Sequence, residues 1–194
     1  SCHPANAGSD GLNWDLLNDG VGNPKNSKSL LLSHQTPPAM STGVRDRAEV
    51  AVRPGIRYIQ FAVRPEEDAQ AIDAYLQALQ PDPSPYLIDG ELSPTAQHGQ
   101  KVFIKAKCQA CHTPPFYTDM MQYPVGTGKN REAQAAFDTP TLIELWKTPP
   151  YLHDGRAVTL EEVLTTCNPE DHHGVTSTLT KEEIQQLVEF ILSL

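Results

Sequence analysis

Three stretches of the chain repeat apolar residues at helical spacing, and most of what lies between them reads as turn or irregular loop. In the first stretch Ile72, Tyr75, Leu76 and Leu79 fall at i, i+3, i+4 and i+7, the stripe of an amphipathic helix whose aromatic and aliphatic face should be core. Pro65 at the first helical position, followed by Glu66, Glu67 and Asp68 at the positive end of the helix dipole, marks its start. In the second stretch Ser93 is the expected N-cap and Pro94 the first helical residue, and Ala96, Gly99, Phe103 and Ala106 line one face. The third opens on Thr180 and Glu183, a capping box, and carries Ile184, Leu187, Val188, Phe190 and Ile191. A glycine costs a helix about 1 kcal/mol against alanine, so Gly99 predicts a place where another helix comes close. The C-terminal helix is the expected partner.

The remaining pattern is short-range. Residues 4–28 are rich in Gly, Asn, Asp and Pro, with Asp19-Gly20 and Gly22-Asn23-Pro24 as turn signals. Leu30 to Leu32 is a brief apolar anchor, and Arg45 to Val52 is one or two helical turns that Pro54-Gly55 should stop. Gln80-Pro81-Asp82-Pro83-Ser84-Pro85 reads as a stiff spacer. The expected fold class is all-α, with short helices and long irregular loops.

The two halves repeat. Thr36-Pro37-Pro38 returns as Thr148-Pro149-Pro150, 112 residues on, and that spacing also carries Gly43 onto Gly155, Glu49 onto Glu161, and the Ile72 stripe onto Ile184, Leu187, Val188 and Ile191. A register held over so long a span is a duplication. It divides the chain into two domains, residues 1–80 and 93–194, joined by a Pro-rich linker over 81–92.

The chemistry sits in Cys108-Gln109-Ala110-Cys111-His112. A C-x-x-C-H run is the attachment signature of c-type haem: two thiols spaced for the porphyrin vinyls, then the proximal imidazole. The alternatives for the same residues are a redox dithiol or a zinc knuckle, and a closed zinc site needs four ligands, usually from a second Cys/His pair that is not visible. Ser1-Cys2-His3 has the form of the last three residues of another such run, 109 residues earlier, so the spacing in the loop after it differs by three. On this reading the chain begins inside a motif, upstream sequence belongs to the same polypeptide, and Cys2 and His3 form a second haem site. The net charge of −9 argues against nucleic acid. No apolar run reaches membrane-spanning length.

The run Asp138-Thr139-Pro140-Thr141-Leu142, then Thr148-Pro149-Pro150-Tyr151-Leu152-His153-Asp154-Gly155-Arg156, then Thr159-Leu160-Glu161-Glu162-Val163-Leu164 resembles the bacterial di-haem cytochrome c peroxidase family, which includes the MauG-type proteins. The second half matches closely and the first loosely. The resemblance implies two cytochrome c-like domains with two c-type haems, one for electron transfer and the other, in true peroxidases, the site that meets hydrogen peroxide, with a Ca2+ ion between the domains in some members. It also implies a sixth iron ligand shortly after the Thr-Leu-Glu-Glu helix, at a register that lands on Cys167, with Met120, Met121, His153, His172 and His173 as rivals. The methionines read as core filling and the paired histidines as solvated loop. For the first haem the register gives Gly55, which cannot ligate, and His34 and Met40 become the candidates. Family peroxidases carry a distal histidine in the loop after the first motif, where this chain has Asn13, Trp14, Asp15, Asn18 and Asp19. Trp146, at the register of His34, could lie between haems or simply in the core.

The expected function is therefore a di-haem module carrying electrons between redox partners within a larger exported protein. A peroxidase or MauG-type oxidoreductase with one open haem is the alternative. Thioether attachment follows export in bacteria, so the haem implies a periplasmic or extracellular location.

Overall fold

The structure, a computed structural model, describes residues 2–4, 8–15, 22 and 24–194. Ser1, Asn18, Asp19, Gly20 and Asn23, which belong to the first motif and its loop, lie outside the described residues.

Five α-helices form among the described residues: α1 (Ala48–Pro54), α2 (Glu66–Ala78), α3 (Pro94–Lys105), α4 (Leu160–Leu164) and α5 (Lys181–Leu192). The all-α expectation needs one correction. Strand β1 (Asn13–Trp14) pairs antiparallel with β2 (Lys25–Asn26), and β3 (Gln122–Tyr123) with β4 (Phe137–Asp138). Two-residue ribbons are too short for an alternating pattern to register in sequence.

The core is built on α3 and α5. Ser93 Oγ accepts the Ala96 N–H at 3.0 Å, with Pro94 as the first helical residue. Thr180 Oγ1 accepts the Glu183 N–H at 3.1 Å while the Glu183 carboxylate accepts the Thr180 N–H at 2.9 Å. Where the helices cross, a Cβ on Gly99 would stand 1.9 Å from the Gln186 carbonyl oxygen and 2.8 Å from Phe190 Cβ. Hydrogen in place of a methyl lets the backbones meet. Ala96, Val102, Phe103, Leu187 and Phe190 are buried around that contact, each large side chain contributing about 1.5–3 kcal/mol. The rings of Phe103 and Phe190 meet edge to face, 5.4 Å between centroids. The spacer is not free of this core: Ser84 Oγ donates to the Leu192 carbonyl at 2.5 Å, and Lys147 pairs with Asp82 at 2.9 Å.

Two expectations in the first half are corrected. Pro54-Gly55 does not stop the chain; α1 runs through Pro54 into a π-helical turn, Gly55–Ile59. Proline withholds one N–H from its i−4 carbonyl, but at the last position of α1 only that bond is lost, and the chain continues as a wider turn closed by the Gln60 N–H on the Gly55 carbonyl at 3.0 Å. The face of α2 is also rotated. Ile72 and Tyr75 are 38% and 53% exposed, and the buried positions are Ala69, Asp73 and Leu76. Asp73 decides this, because its carboxylate takes His34 Nε2 at 2.9 Å and pairs with Arg53, which also reaches Glu66. A hydrophobic stripe cannot announce a buried ion pair supplied by distant residues.

That cluster yields a stability prediction. Burial alone would raise the Asp73 pKa, but the hydrogen bonds from Arg53 and His34 hold it below the ordinary 3.8. A carboxylate depressed in the folded state contributes stability above its unfolded value and loses it as pH falls through the folded one. Asp73→Ala is expected to cost about 2–4 kcal/mol at neutral pH. Urea melts at decreasing pH should show the wild-type advantage shrinking below about pH 4; an advantage constant down to pH 2 would refute the assignment.

Candidate haem site

Helix α3 ends at Lys105; Lys107 then turns left-handed at φ 63°, and the 3-10 turn Cys108–Ala110 follows. The turn sets both thiols and the imidazole on one short loop, with the His112 N–H bonded to the Cys108 carbonyl at 2.9 Å. His112 is buried, and its Nδ1 lies 2.9 Å from the Tyr117 carbonyl oxygen. A carbonyl only accepts, so Nδ1 carries the proton and Nε2 keeps its lone pair. Burial lowers the His112 pKa, which keeps the ring neutral. Burial also pushes the Cys108 thiol up to about 11 and raises Cys111. All four cysteines are free of disulfides.

The first half repeats this arrangement. His3 Nδ1 lies 3.3 Å from the Gly8 carbonyl oxygen, five residues on, as in His112 and Tyr117. Ser9 Oγ donates to the Ser27 carbonyl and Thr118 Oγ1 to that of Thr139. Asp10 Oδ1 accepts the Leu12 N–H at 3.0 Å and Asp119 Oδ1 the Met121 N–H at 3.1 Å. Trp14 Nε1 reaches Asp10 at 3.0 Å and the Tyr123 hydroxyl reaches Asp119 at 2.8 Å. Each pair is related by the 109-residue spacing of the motifs, save the acceptors Ser27 and Thr139, which keep the 112-residue spacing. The loops joining β1 to β2 and β3 to β4 hold the three-residue difference. Ser9-Asp10 against Thr118-Asp119 was present in the sequence; sliding the motif spacing a few residues further finds it.

The halves also clasp each other reciprocally. The Asn26 N–H donates to the His153 carbonyl at 2.7 Å, and its register mate, Asp138 N–H, to the Ser41 carbonyl at 3.0 Å. Lys25 bridges to Glu132 at 2.7 Å across the same seam.

The structure separates the candidate ligands. His34 is held by Asp73 through Nε2 and by Ser33 Oγ at 3.4 Å through Nδ1. His153 stacks on Phe137 with centroids 4.1 Å apart and points Nε2 at Glu132, 3.6 Å away. Met121 and His172 are exposed; His172 faces Glu170 and shares a surface hollow with Cys167, Val125 and Gly126. Met40 and Met120 occupy left-handed turn positions, φ 75° and 59°. The Trp146 Nε1 is buried without a hydrogen-bond partner among the described residues, with Lys147 Nζ 5.3 Å from its ring centre. His173 lies apart from the rest of this group. Its ring centre is 6.3 Å from that of His112, at 49° between planes, and its Nδ1 is buried with no partner among the described residues. Burial, then the charge of His112, lowers its pKa to about 4. Among the described residues no three His, Cys, Asp or Glu side chains converge.

Two thiols and a lone pair on one turn, with a second neutral imidazole facing them, suit a c-type haem. Comparison with known proteins agrees: residues 96–194 match the cytochrome c family. The chain belongs to the cytochrome c family. As such it carries covalently bound haem c, with Cys108, Cys111 and His112 the residues that would hold it in the matched half. The cytochrome is also a homologue of hydrazine synthase subunit gamma of Kuenenia stuttgartiensis, 30% identical over 250 residues that include all of this chain and 71% of that protein. A solved hydrazine synthase from Kuenenia stuttgartiensis superposes at a TM-score of 0.89 with 26% identity, over 100% of this chain and 79% of that one. A MauG-like protein associated with microbial copper homeostasis gives 0.74 at 19% identity, over 100% of this chain and 80% of that one. A diheme peroxidase from Burkholderia thailandensis gives 0.70 at 17%, with the same shares. The last two share the cytochrome's fold. No helix among the described residues is long and apolar enough to cross a membrane.

Proposed function

We propose that this cytochrome is a di-haem electron-transfer module, with one haem held by Cys108, Cys111 and His112 and a second by Cys2 and His3. The observation that carries the reading is the matched pair of proximal histidines, each turned by a carbonyl five residues on. A carbonyl fixed at Nδ1 sets tautomer and ring direction and presents Nε2 to a metal. When bound, haem supplies a reversible one-electron centre; the protein's part is to fix the axial imidazole and keep it dry. The likeness to a subunit of hydrazine synthase supports a place within a larger redox assembly. Thioether attachment implies export to the periplasm or beyond. The mass of the purified holoprotein should exceed that of the polypeptide by two haems, and its oxidised visible and EPR spectra should show two distinct iron sites. A mass excess of one haem, or none, would sink the di-haem reading.

A second reading, a peroxide-handling oxidoreductase with one open haem, rests on His34. Its two nitrogens are engaged by Asp73 and Ser33, which leaves Met40 as the other candidate for the first iron. A high-spin ferric signal together with peroxide turnover would favour this reading; two six-coordinate low-spin haems would exclude it.

A further inference from the structure

We infer that His173 is the sixth ligand of the haem held by Cys108, Cys111 and His112, so that this iron is bound by two imidazoles; the inference rests on the haem reading above. The separation of the two rings argues for it. Two imidazoles on opposite sides of one metal ion, each bonded at about 2.0–2.1 Å, have ring centres about 6.2–6.4 Å apart. The observed 6.3 Å matches. Ring pairs in simple contact span about 4.5–7 Å between centres, so the spacing fits either case; a direct hydrogen bond would need nitrogens about 3 Å apart, and the buried His173 Nδ1 has no partner among the described residues.

The loop that presents His173 is built to hold one conformation. Asn168, itself buried, donates from Nδ2 to the His173 carbonyl at 3.0 Å, the Gly174 carbonyl at 2.9 Å and Thr176 Oγ1 at 2.9 Å. Its Oδ1 accepts the His173 N–H at 2.8 Å. Asp171 closes the other side, accepting the N–H groups of Thr176 at 2.8 Å and Ser177 at 2.9 Å. The loop is then tied to the haem turn, because the Val175 N–H bonds to the Ala106 carbonyl at 2.9 Å and a Cβ on Gly174 would stand 3.6 Å from Cys108 Sγ. Such a network explains a ring nitrogen left buried and unpartnered. A buried polar atom without a partner costs about 1–3 kcal/mol, a cost that is offset where that same nitrogen, Nδ1, binds the iron.

The register sharpens the point. The residue 112 positions before His173 is Phe61, which is 87% exposed and cannot ligate iron. The same loop therefore offers an imidazole in one half and none in the other. The two haems are inequivalent, and only the second receives two histidines by this route.

The test uses the full-length holoprotein, oxidised. Wild-type protein labelled with 15N-histidine should show, by pulsed EPR, one low-spin iron with two coordinated imidazoles. His173→Gly should remove that signal, leave the Soret band and the haem mass in place, and regain the low-spin signal when free imidazole is added. His173→Met should raise the reduction potential of one haem only, since a Met/His pair favours the ferrous state. An unchanged low-spin signal in His173→Gly, or loss of the signal in Cys167→Ala instead, would overturn the inference while leaving the haem reading intact. A colourless wild type would overturn both. Should His173→Gly fail to fold, the labelled wild type still decides, because a single coordinated imidazole at every low-spin iron refutes the assignment.

Discussion

Replacing Cys108 and Cys111 together by serine is expected to strip this half of its covalent haem and to leave the other half coloured. Serine matches the thiol in size but forms no thioether, so the porphyrin would be held only through its iron, by His112 and His173, and lost on purification. The mass should fall by one haem and the Soret absorbance by about half. Since a group bound only by the native state stabilises it, the melting temperature should fall as well. The α3–α5 contact lies beside the motif rather than in it, and helical circular dichroism should therefore persist. Retention of both haems, or of none, would contradict the two-site assignment.

Gly99→Ala is expected to damage the fold at the crossing of α3 and α5. The new methyl would be placed 1.9 Å from the Gln186 carbonyl oxygen, a backbone atom that no rotamer change can move. The helices must separate, and the buried faces of Phe103, Leu187 and Phe190 separate with them. Overpacking of this kind costs about 2–3 kcal/mol, against a propensity gain of only about 1 kcal/mol. The net loss of about 1–2 kcal/mol should lower the melting temperature of a chain of this size by about 2–8 °C. Gly55→Ala is the matched control: a Cβ there meets nothing within 4 Å and its φ is −57°, so the substitution should be neutral or slightly stabilising. Equal effects of the two substitutions would remove the crossing from the account of stability.

Both predictions rest on features legible without coordinates. The C-x-x-C-H run declares its chemistry in five residues, and Gly99 with the Ser93 N-cap and the Thr180–Glu183 capping box declares a close pair of helices, because caps and close crossings depend on residues adjacent in the chain. The 112-residue register was legible for the same reason in a different form, since duplicated sequence keeps its spacing. The hydrogen bonds of Asp10 and Asp119 carry the repeat back to the motifs at the 109-residue spacing. The stripe itself misleads in the first half, where α2 turns Asp73 inward and leaves Tyr75 half-exposed.

The amino-acid order alone settled the attachment motif, the helix starts, the crossing glycine and the repeat, all of which are written in neighbouring residues or in a fixed spacing. Tertiary structure decided which face of α2 is buried, how β2 and β4 meet the opposite half, and that His173 rather than Cys167 faces His112. Those outcomes come from pairings between residues far apart in the chain: Asp73 with His34 and Arg53, Asn26 with His153, and a loop after α4 tied back to the turn after α3. Their energies depend on distance and burial, and neither quantity exists until the chain has folded.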